Sequence, residues 1–176
     1  MKPNLEHRRA LLRLIERFPG LHLRELSRAA RLSEALAGYH LAALEAEGHV
    51  RSAVDGEFRR FYSLLPTAPR TDDEPLIGLL RQRVPLQVAV FLQDRERATQ
   101  TELAETLGLA KSTVSYHVGK LRDVGFLRLS TGSEAVELAE PARVRALLLR
   151  WQPRSDVTDR FASLWNAFFR TRKPRE

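Results

Sequence analysis

The chain has 176 residues, a formal net charge of +7 and a hydrophobic content of 43%. This hydrophobic content is that of a folded protein, and the length is enough for one ordinary domain or two small ones. The basic balance favours polyanionic partners, nucleic acid first and an anionic membrane second. The absence of cysteine excludes structural disulfides, thiolate zinc sites and cysteine chemistry.

No targeting or membrane-spanning segment is predicted. The N-terminal segment is amphipathic and carries Glu6 and Glu16, so it lacks the uninterrupted apolar core of a signal peptide. No apolar run in the sequence reaches the roughly 18 residues that are needed to span a bilayer. We therefore expect a cytoplasmic protein without a membrane partner.

The chain contains an internal repeat at an offset of 77 residues. Residues 22–50 align with residues 99–127 without a gap, and seven of the 29 aligned positions are identical. The identities include a Tyr-His pair at the same place in each copy. The repeat predicts one structural unit that is used twice.

The first copy has the pattern of a helix-turn-helix. Apolar spacing predicts a helix over residues 5–18 and a short helix near residues 23–30. Ser33 is placed to cap a longer helix that extends to about Glu47, and Gly48 closes that helix. Two helices joined by a turn of about four residues, the second amphipathic, define the motif.

The second copy repeats this pattern. A first helix is predicted over residues 85–94, and Thr99 with Glu102 forms the capping-box pattern of a short helix. The long helix is predicted from Ala110 to Val124. Both copies therefore predict the same three helices in the same order.

A hairpin signal follows each helix-turn-helix. In the first copy two strand-like segments flank Asp55-Gly56, a strong turn dipeptide, and in the second copy they flank residues 131–133. A two-stranded wing after a helix-turn-helix predicts a winged helix. The expected fold is mainly α with small β wings, as two tandem winged helix-turn-helix domains plus C-terminal helices.

A stretch between the two copies is rich in proline and acidic residues, which is typical of a linker, and the predicted domain boundaries are based on it. We expect a first winged helix-turn-helix domain over residues 1–65 and a linker with a connecting helix over residues 66–84. The second domain is expected over residues 85–140, and C-terminal helices with a basic tail over residues 141–176.

Two stretches, LAGYHLAALEAEGHVRSAVDGEFRRFYSL and STVSYHVGKLRDVGFLRL, resemble ArsR-like winged helix-turn-helix transcriptional regulators. That family has a Ser/Thr-rich start of the recognition helix, a His-Leu pair, and a Gly before the first wing strand. The resemblance implies a bacterial or archaeal regulator that reads duplex DNA, usually as a dimer. The two-unit arrangement resembles the tandem winged-helix proteins of archaea.

Metal sensing, which some members of that family perform, is not expected here. The chain has no cysteine and no histidine after His117, and its five histidines lack the spacing of metal ligands. The histidine that recurs as His40 and His117 is expected to pack against the short helix or to hydrogen-bond locally. A role in pH sensing is the less favoured alternative.

The long helix of the second copy has the features of a DNA-reading helix. Its predicted buried stripe is Val114, Val118 and Leu121, and segment 110–125 carries three cations against one acid. We expect its hydroxyl, tyrosine and lysine side chains to face DNA, with one arginine serving the wing. The candidate DNA-binding residues of this copy are Lys111, Ser112, Thr113, Ser115, Tyr116, Lys120 and Arg128.

The equivalent helix of the first copy is acidic and apolar. Segment 33–48 carries three glutamates and no Lys or Arg, a composition poorly suited to a phosphate-lined groove. Either this copy binds DNA through arginines outside the helix, or the helix contacts protein. We favour the first explanation for general binding and expect the second copy to carry sequence choice. The candidate residues of the first copy are Arg24, Arg28, Arg31, Arg59 and Arg60.

Two apolar helical faces are predicted after the second wing, and the second of them is too aromatic to leave in water. Packing within the chain, a homodimer seam, and a membrane-surface or ligand site are the alternatives, of which the homodimer is favoured. The two faces consist of Val144, Leu147, Leu148 and Trp151, and of Phe161, Leu164, Trp165, Phe168 and Phe169.

Together these features predict a double-stranded DNA-binding transcriptional regulator, cytoplasmic and nucleoid-associated, with its second recognition helix in the major groove. The alternatives are an architectural nucleoid protein with little sequence preference and a winged-helix protein-interaction module. No enzymatic activity and no cofactor are expected, because the sequence has no phosphate-binding Gly loop, metal-ligand set or nucleophile–base pattern.

Overall fold

A computed structural model of the chain describes residues 3–151. These residues are mainly helical and contain two small antiparallel sheets, which confirms the predicted fold class at this level. The chain divides into two compact units, Met1–Gly78 and Leu79–Glu176.

Residues 3–63 of the first unit form three helices and a three-stranded antiparallel sheet, whose strands lie in the order β1-β3-β2. The predicted helix bounds agree with the observed ones to within two residues. The short strand β1 was not predicted. The elements are α1 (Pro3–Arg17), β1 (Leu21–His22), α2 (Leu23–Ala30), α3 (Glu34–Ala46), β2 (Val50–Asp55) and β3 (Phe58–Ser63).

The three helices of the first unit enclose one apolar core. Ser33 caps α3 as predicted, because its Oγ accepts a hydrogen bond from the Leu36 backbone N–H at 3.2 Å. The helices bury their apolar faces against each other and against the inner face of the sheet. The core residues are Leu11, Ile15, Leu21, Leu26, Ala37, Leu41, Leu44, Val50 and Phe61.

The hairpin of the first unit turns one residue later than predicted. Asp55 is paired with Phe58, so Asp55 belongs to the strand and the two-residue loop is Gly56-Glu57. Gly56 has φ 61°, a left-handed conformation that glycine adopts without a Cβ clash.

A short helix, α4 (Glu74–Leu80), follows a 3-10 turn and packs on the first unit's hairpin. The Tyr62 hydroxyl donates to the Glu74 carbonyl at 3.3 Å, and Arg51 donates to the Glu74 carboxylate at 2.7 Å. A Cβ on Gly78 would lie 2.8 Å from Asp55 Oδ2, so this glycine permits the close approach. Within residues 66–84, where a connecting helix was expected, the helix is α4.

The second unit has the same order of elements as the first and the equivalent strand order, β4-β6-β5. Its strand β4 matches the unpredicted β1 of the first unit. A further helix, α8, follows the second hairpin. The elements are α5 (Arg83–Arg95), β4 (Arg97–Ala98), α6 (Gln100–Leu107), α7 (Lys111–Asp123), β5 (Leu127–Leu129), β6 (Val136–Leu138) and α8 (Pro141–Arg150).

The core of the second unit surrounds α5, which is buried on every face from Pro85 to Leu92. Helices α7 and α8 and strand β6 pack against α5. Three residues of the predicted apolar face of α8, Val144, Leu147 and Leu148, are buried, whereas Trp151 at the end of the helix is half-buried. The predicted capping box of α6 is present. The fully buried residues include Leu86, Val90, Leu103, Val114, Val118, Leu121, Phe126, Val136, Leu138, Val144 and Leu148.

The aromatic stripe predicted over residues 161–169 and the basic tail lie outside the described residues. Within the described part, α8 turns its apolar face toward its own unit, with Val144 and Leu148 each 1% exposed.

Candidate nucleic-acid interface

Helix α7 separates an apolar face from a polar one. Val114, Val118 and Leu121 are at most 1% exposed, as predicted, and fix the helix on the core. Because this stripe faces inward, the opposite side of the helix is turned to solvent. That side is the candidate interface of the second unit.

The structure brings most of the predicted residues of α7 together on this outer side. Thr113 is half-buried beside the apolar stripe. Tyr116 remains 58% exposed, and the Lys120 ammonium lies 5.1 Å from the centre of its ring. The exposed predicted residues are Lys111, Ser112, Ser115, Tyr116 and Lys120.

The second wing places Arg128 beside the C-terminal half of α7. Its Nε donates to Glu137 Oε1 at 2.7 Å, a bond that lowers the pKa of the Glu137 carboxyl. A surface hollow of about 410 Å³ lies between strand β5, which contains Arg128, and helix α7. Arg122, which was not a predicted site residue, also lines the hollow, and only the packing of β5 beside the helix shows this proximity.

The equivalent helix of the first unit, α3, presents a different surface. Glu34, Ala35 and Ala42 are exposed, and Tyr39 is 61% exposed at the position of Tyr116. No lysine or arginine lies on this helix. The outer side of α3 therefore lacks the cations that α7 presents.

Four of the five predicted arginines of the first unit are exposed. Arg28 and Arg31 are exposed. Arg24 and Arg59 are also exposed, but each is paired with a glutamate of α3. Arg24 Nε lies 3.3 Å from Glu34 Oε1, and Arg59 Nη2 lies 2.7 Å from Glu45 Oε2.

Arg60 does not face solvent, and we withdraw it from the candidate interface. Its side chain is 3% exposed, Nε donates to Asp55 Oδ2 at 2.6 Å, and Nη1 donates to the Gly20 carbonyl at 2.9 Å. Successive residues of a strand point to opposite faces, so Arg59 and Arg60 cannot serve one surface. Arg60 therefore ties the hairpin to the turn between α1 and β1.

The recurring histidine is buried in the first unit and does not form the local hydrogen bond that was one of its expected roles. His40 is completely buried, with its ring centre 5.4 Å from that of His7 on α1. Neither of its ring nitrogens has a hydrogen-bond partner in the described residues. Burial, followed by the charges of His7 and Arg8, lowers the pKa of His40.

His117 is only partly buried, and burial followed by the nearby Lys120 lowers its pKa.

Within residues 3–151, no group of three or more His, Asp or Glu side chains is arranged to hold a metal ion. Among the described helices, none combines the length and apolar character needed to cross a membrane.

One segment of the second unit is similar to a known protein family. Residues 91–128 match the family model of winged helix-turn-helix DNA-binding domains. The match extends from the second half of α5 through α6 and α7 into β5. No curated protein matches the chain. The similarity thus falls on the part of the second unit that contains the polar outer face of α7, and it supports a DNA-binding role for that part.

Proposed function

We propose that the protein is a transcriptional regulator that binds double-stranded DNA through the outer face of α7. The observation that carries the proposal is the exposed row of lysine, hydroxyl and tyrosine side chains on this helix, within the segment similar to winged helix-turn-helix DNA-binding domains. The major groove of B-DNA admits one α-helix, and phosphates line its edges.

Different side chains of α7 have different tasks in this proposal. Lys111 and Lys120 contact phosphates, which sets register and gives affinity. Ser112, Ser115 and Tyr116 hydrogen-bond to base edges, and the Tyr116 ring can also pack on a thymine methyl group, which gives sequence choice. Arg128 and the neighbouring Arg122 meet the backbone beside the groove.

We further propose that the chain is an ArsR-like tandem winged-helix protein and that it acts as a homodimer in the cytoplasm, on the nucleoid. The identical order of elements in the two units supports the tandem arrangement. A two-fold dimer would present two copies of α7 to a palindromic site. Sedimentation of the intact chain measures the oligomeric state directly.

The main test removes the two lysines of α7. In a gel shift over a series of salt concentrations, Lys111→Ala with Lys120→Ala should weaken binding, and the slope of log affinity against log salt should become shallower by about 2. Unchanged affinity and slope would reject α7 as the main contact.

A matched control removes two exposed arginines at the ends of α5, through Arg83→Ala with Arg95→Ala. This double variant loses the same charge from the same unit, but not from α7. It should retain most of the affinity and most of the salt dependence. Equal losses in the two double variants would show that net charge, and not the face of α7, determines binding.

A footprint on genomic DNA separates a regulator from an architectural nucleoid protein. Discrete protected sites support the regulator, whereas uniform coverage supports the architectural protein. A failure to bind duplex DNA even at low salt would favour a protein-interaction module instead.

A further inference from the structure

Three side chains join α3 to the wing of the first unit. Glu45 Oε1 accepts hydrogen bonds from the Ser52 backbone N–H at 3.1 Å and from the Ser52 hydroxyl at 2.6 Å. Glu45 Oε2 accepts from Arg59 Nη2 at 2.7 Å, while Arg59 Nε donates to Ser52 Oγ at 2.7 Å. We call these three residues the wing cluster.

The register of the hairpin explains why the wing cluster forms. Ser52 pairs with Phe61, and Val54 pairs with Arg59. Because directly opposed residues share a face of the sheet, Ser52 and Arg59 both lie on the face turned toward α3. Glu45, in the last turn of α3, meets them there with its side chain 30% exposed.

The donors of the wing cluster are those that bind a DNA phosphate. A backbone N–H, a serine hydroxyl and an arginine guanidinium are common partners of phosphate oxygens. Here they converge on the two oxygens of one carboxylate. Glu45 thus occupies the place of the anion, and its own charge repels a second anion that approaches Arg59.

The second unit has the reverse chemistry at the same place. At the offset of 77 residues, Arg122 stands where the first unit has Glu45, and Leu129 stands where it has Ser52. Arg122 and Arg128 line the hollow between α7 and β5 together with Asp123, and Arg128 is paired with Glu137 on strand β6. The helix therefore presents a carboxylate to the wing in the first unit, and it presents the cation of Arg122 at the same position in the second.

We propose that Glu45 keeps the wing of the first unit from binding DNA phosphates and so determines which of the two units engages duplex DNA. This inference rests on the proposed DNA-binding function. It also changes the expectation that Arg59 binds DNA: in the native chain Arg59 is the salt-bridge partner of Glu45. The wing of the first unit becomes a phosphate site only when the carboxylate loses its charge.

The test is Glu45→Gln, which keeps the shape of the side chain and removes its charge. Duplex DNA of mixed sequence is titrated with the intact chain over a series of salt concentrations. The variant should bind about three- to tenfold more tightly at low salt, and its salt slope should steepen by about 1, as expected for one added phosphate contact.

The control is Glu47→Gln, which makes the same change in net charge two residues away. Glu47 pairs with Arg8 on α1 at 2.5 Å and takes no part in the wing cluster. It should change affinity much less than Glu45→Gln. An equal gain in the two variants would overturn the inference, because net charge alone would then explain the effect.

Arg59→Ala completes the test. In the native background it should leave affinity unchanged, and in the Glu45→Gln background it should abolish the gain. A clear loss of affinity in the native background would overturn the inference, even if Glu45→Gln failed to fold. If the native chain itself did not bind duplex DNA, the proposed function would fail first; if it bound but Glu45→Gln had no effect, only this inference would fail.

Discussion

Arg31 and Gly108 end helices α2 and α6, the second helix of each unit, with the same left-handed backbone, at φ 56° and 62°. In each unit the next residue donates back to the helix: Leu32 N–H to the Ser27 carbonyl and Leu109 N–H to the Ala104 carbonyl, both at 2.9 Å. The turn geometry is therefore shared, although only one copy has glycine at this position.

This relationship predicts opposite effects of two substitutions. A non-glycine residue in the left-handed region destabilises the folded state by about 1–2 kcal/mol. Substitution by glycine removes this strain, but it also makes the unfolded chain more flexible, which offsets part of the gain. Arg31→Gly should therefore raise the unfolding free energy of the first unit by about 0.5–1 kcal/mol. Gly108→Ala should lower that of the second unit by about 1 kcal/mol. Hydrogen exchange at increasing urea, resolved by peptide, measures both.

The control is Arg31→Ala, which removes the charge and keeps a Cβ. It should not stabilise the first unit. If Arg31→Ala stabilised the unit as much as Arg31→Gly, charge and not backbone strain would be responsible.

The capping box of α6 gives a second prediction. Thr99 Oγ1 accepts from the Glu102 backbone N–H at 3.2 Å, and the Thr99 backbone N–H donates to Glu102 Oε2 at 2.7 Å. Thr99→Ala removes the side-chain half of this exchange and should lower the unfolding free energy of the second unit by about 1 kcal/mol.

Urea denaturation followed by tryptophan fluorescence suits this measurement, because Trp151 follows α8 of the second unit and the first unit contains no tryptophan. Thr99→Ser keeps the hydroxyl and should retain most of the stability. Equal losses for alanine and serine would contradict a capping role.

The buried His40 gives a pH-dependent prediction. Burial, His7 and Arg8 all lower the pKa of His40 below its ordinary value of 6.5, so the folded state favours the neutral ring. The unfolded chain takes up the proton first as pH falls, and the unfolding free energy therefore decreases below about pH 6.5. Above that pH the stabilisation by the neutral ring is fully present.

His40→Phe removes this titration and keeps a ring in the core. We expect the first unit of the native chain to lose more stability between pH 7.5 and pH 5 than the variant does. The comparison uses the difference between the two pH values, so a uniform destabilisation by phenylalanine does not affect it. The same loss in both proteins would show that His40 contributes nothing to the pH dependence.

The sequence predicted the helices well, because apolar spacing and helix caps are local signals. Ser33 and Thr99 mark the starts of α3 and α6, and both caps are present. Strands β1 and β4 were missed, because two-residue strands carry no periodic pattern. They form only by pairing with a hairpin about 40 residues away, as Leu21 does with Phe61.

The site was harder to predict than the fold, because charge in the sequence does not show which cations are paired. Arg59 and Arg60 looked equivalent, yet the alternation of the strand exposes the first and buries the second. The partner of Arg59 depends on the register of the hairpin over α3. On α7, by contrast, the buried stripe of Val114, Val118 and Leu121 was enough to predict which side chains of the helix are exposed.

Tyr116 permits a test of sequence choice apart from charge. Its ring is 58% exposed on the outer face of α7, next to the Lys120 ammonium. Tyr116→Ala should weaken binding to a preferred site roughly tenfold, which corresponds to about 1.4 kcal/mol, through the loss of a base contact. The salt slope should not change, because no cation is removed, whereas Lys120→Ala alone should make it shallower by about 1.

Tyr39, 61% exposed at the equivalent position of α3, is the matched control. Tyr39→Ala should leave affinity for the same site unchanged, because in the proposed function only α7 enters the groove. Tyr116→Phe separates the hydroxyl from the ring: a hydrogen bond to a base predicts a loss with phenylalanine, whereas stacking predicts none. Equal losses for Tyr39→Ala and Tyr116→Ala would show that both recognition helices contact DNA and would remove the distinction between the two units.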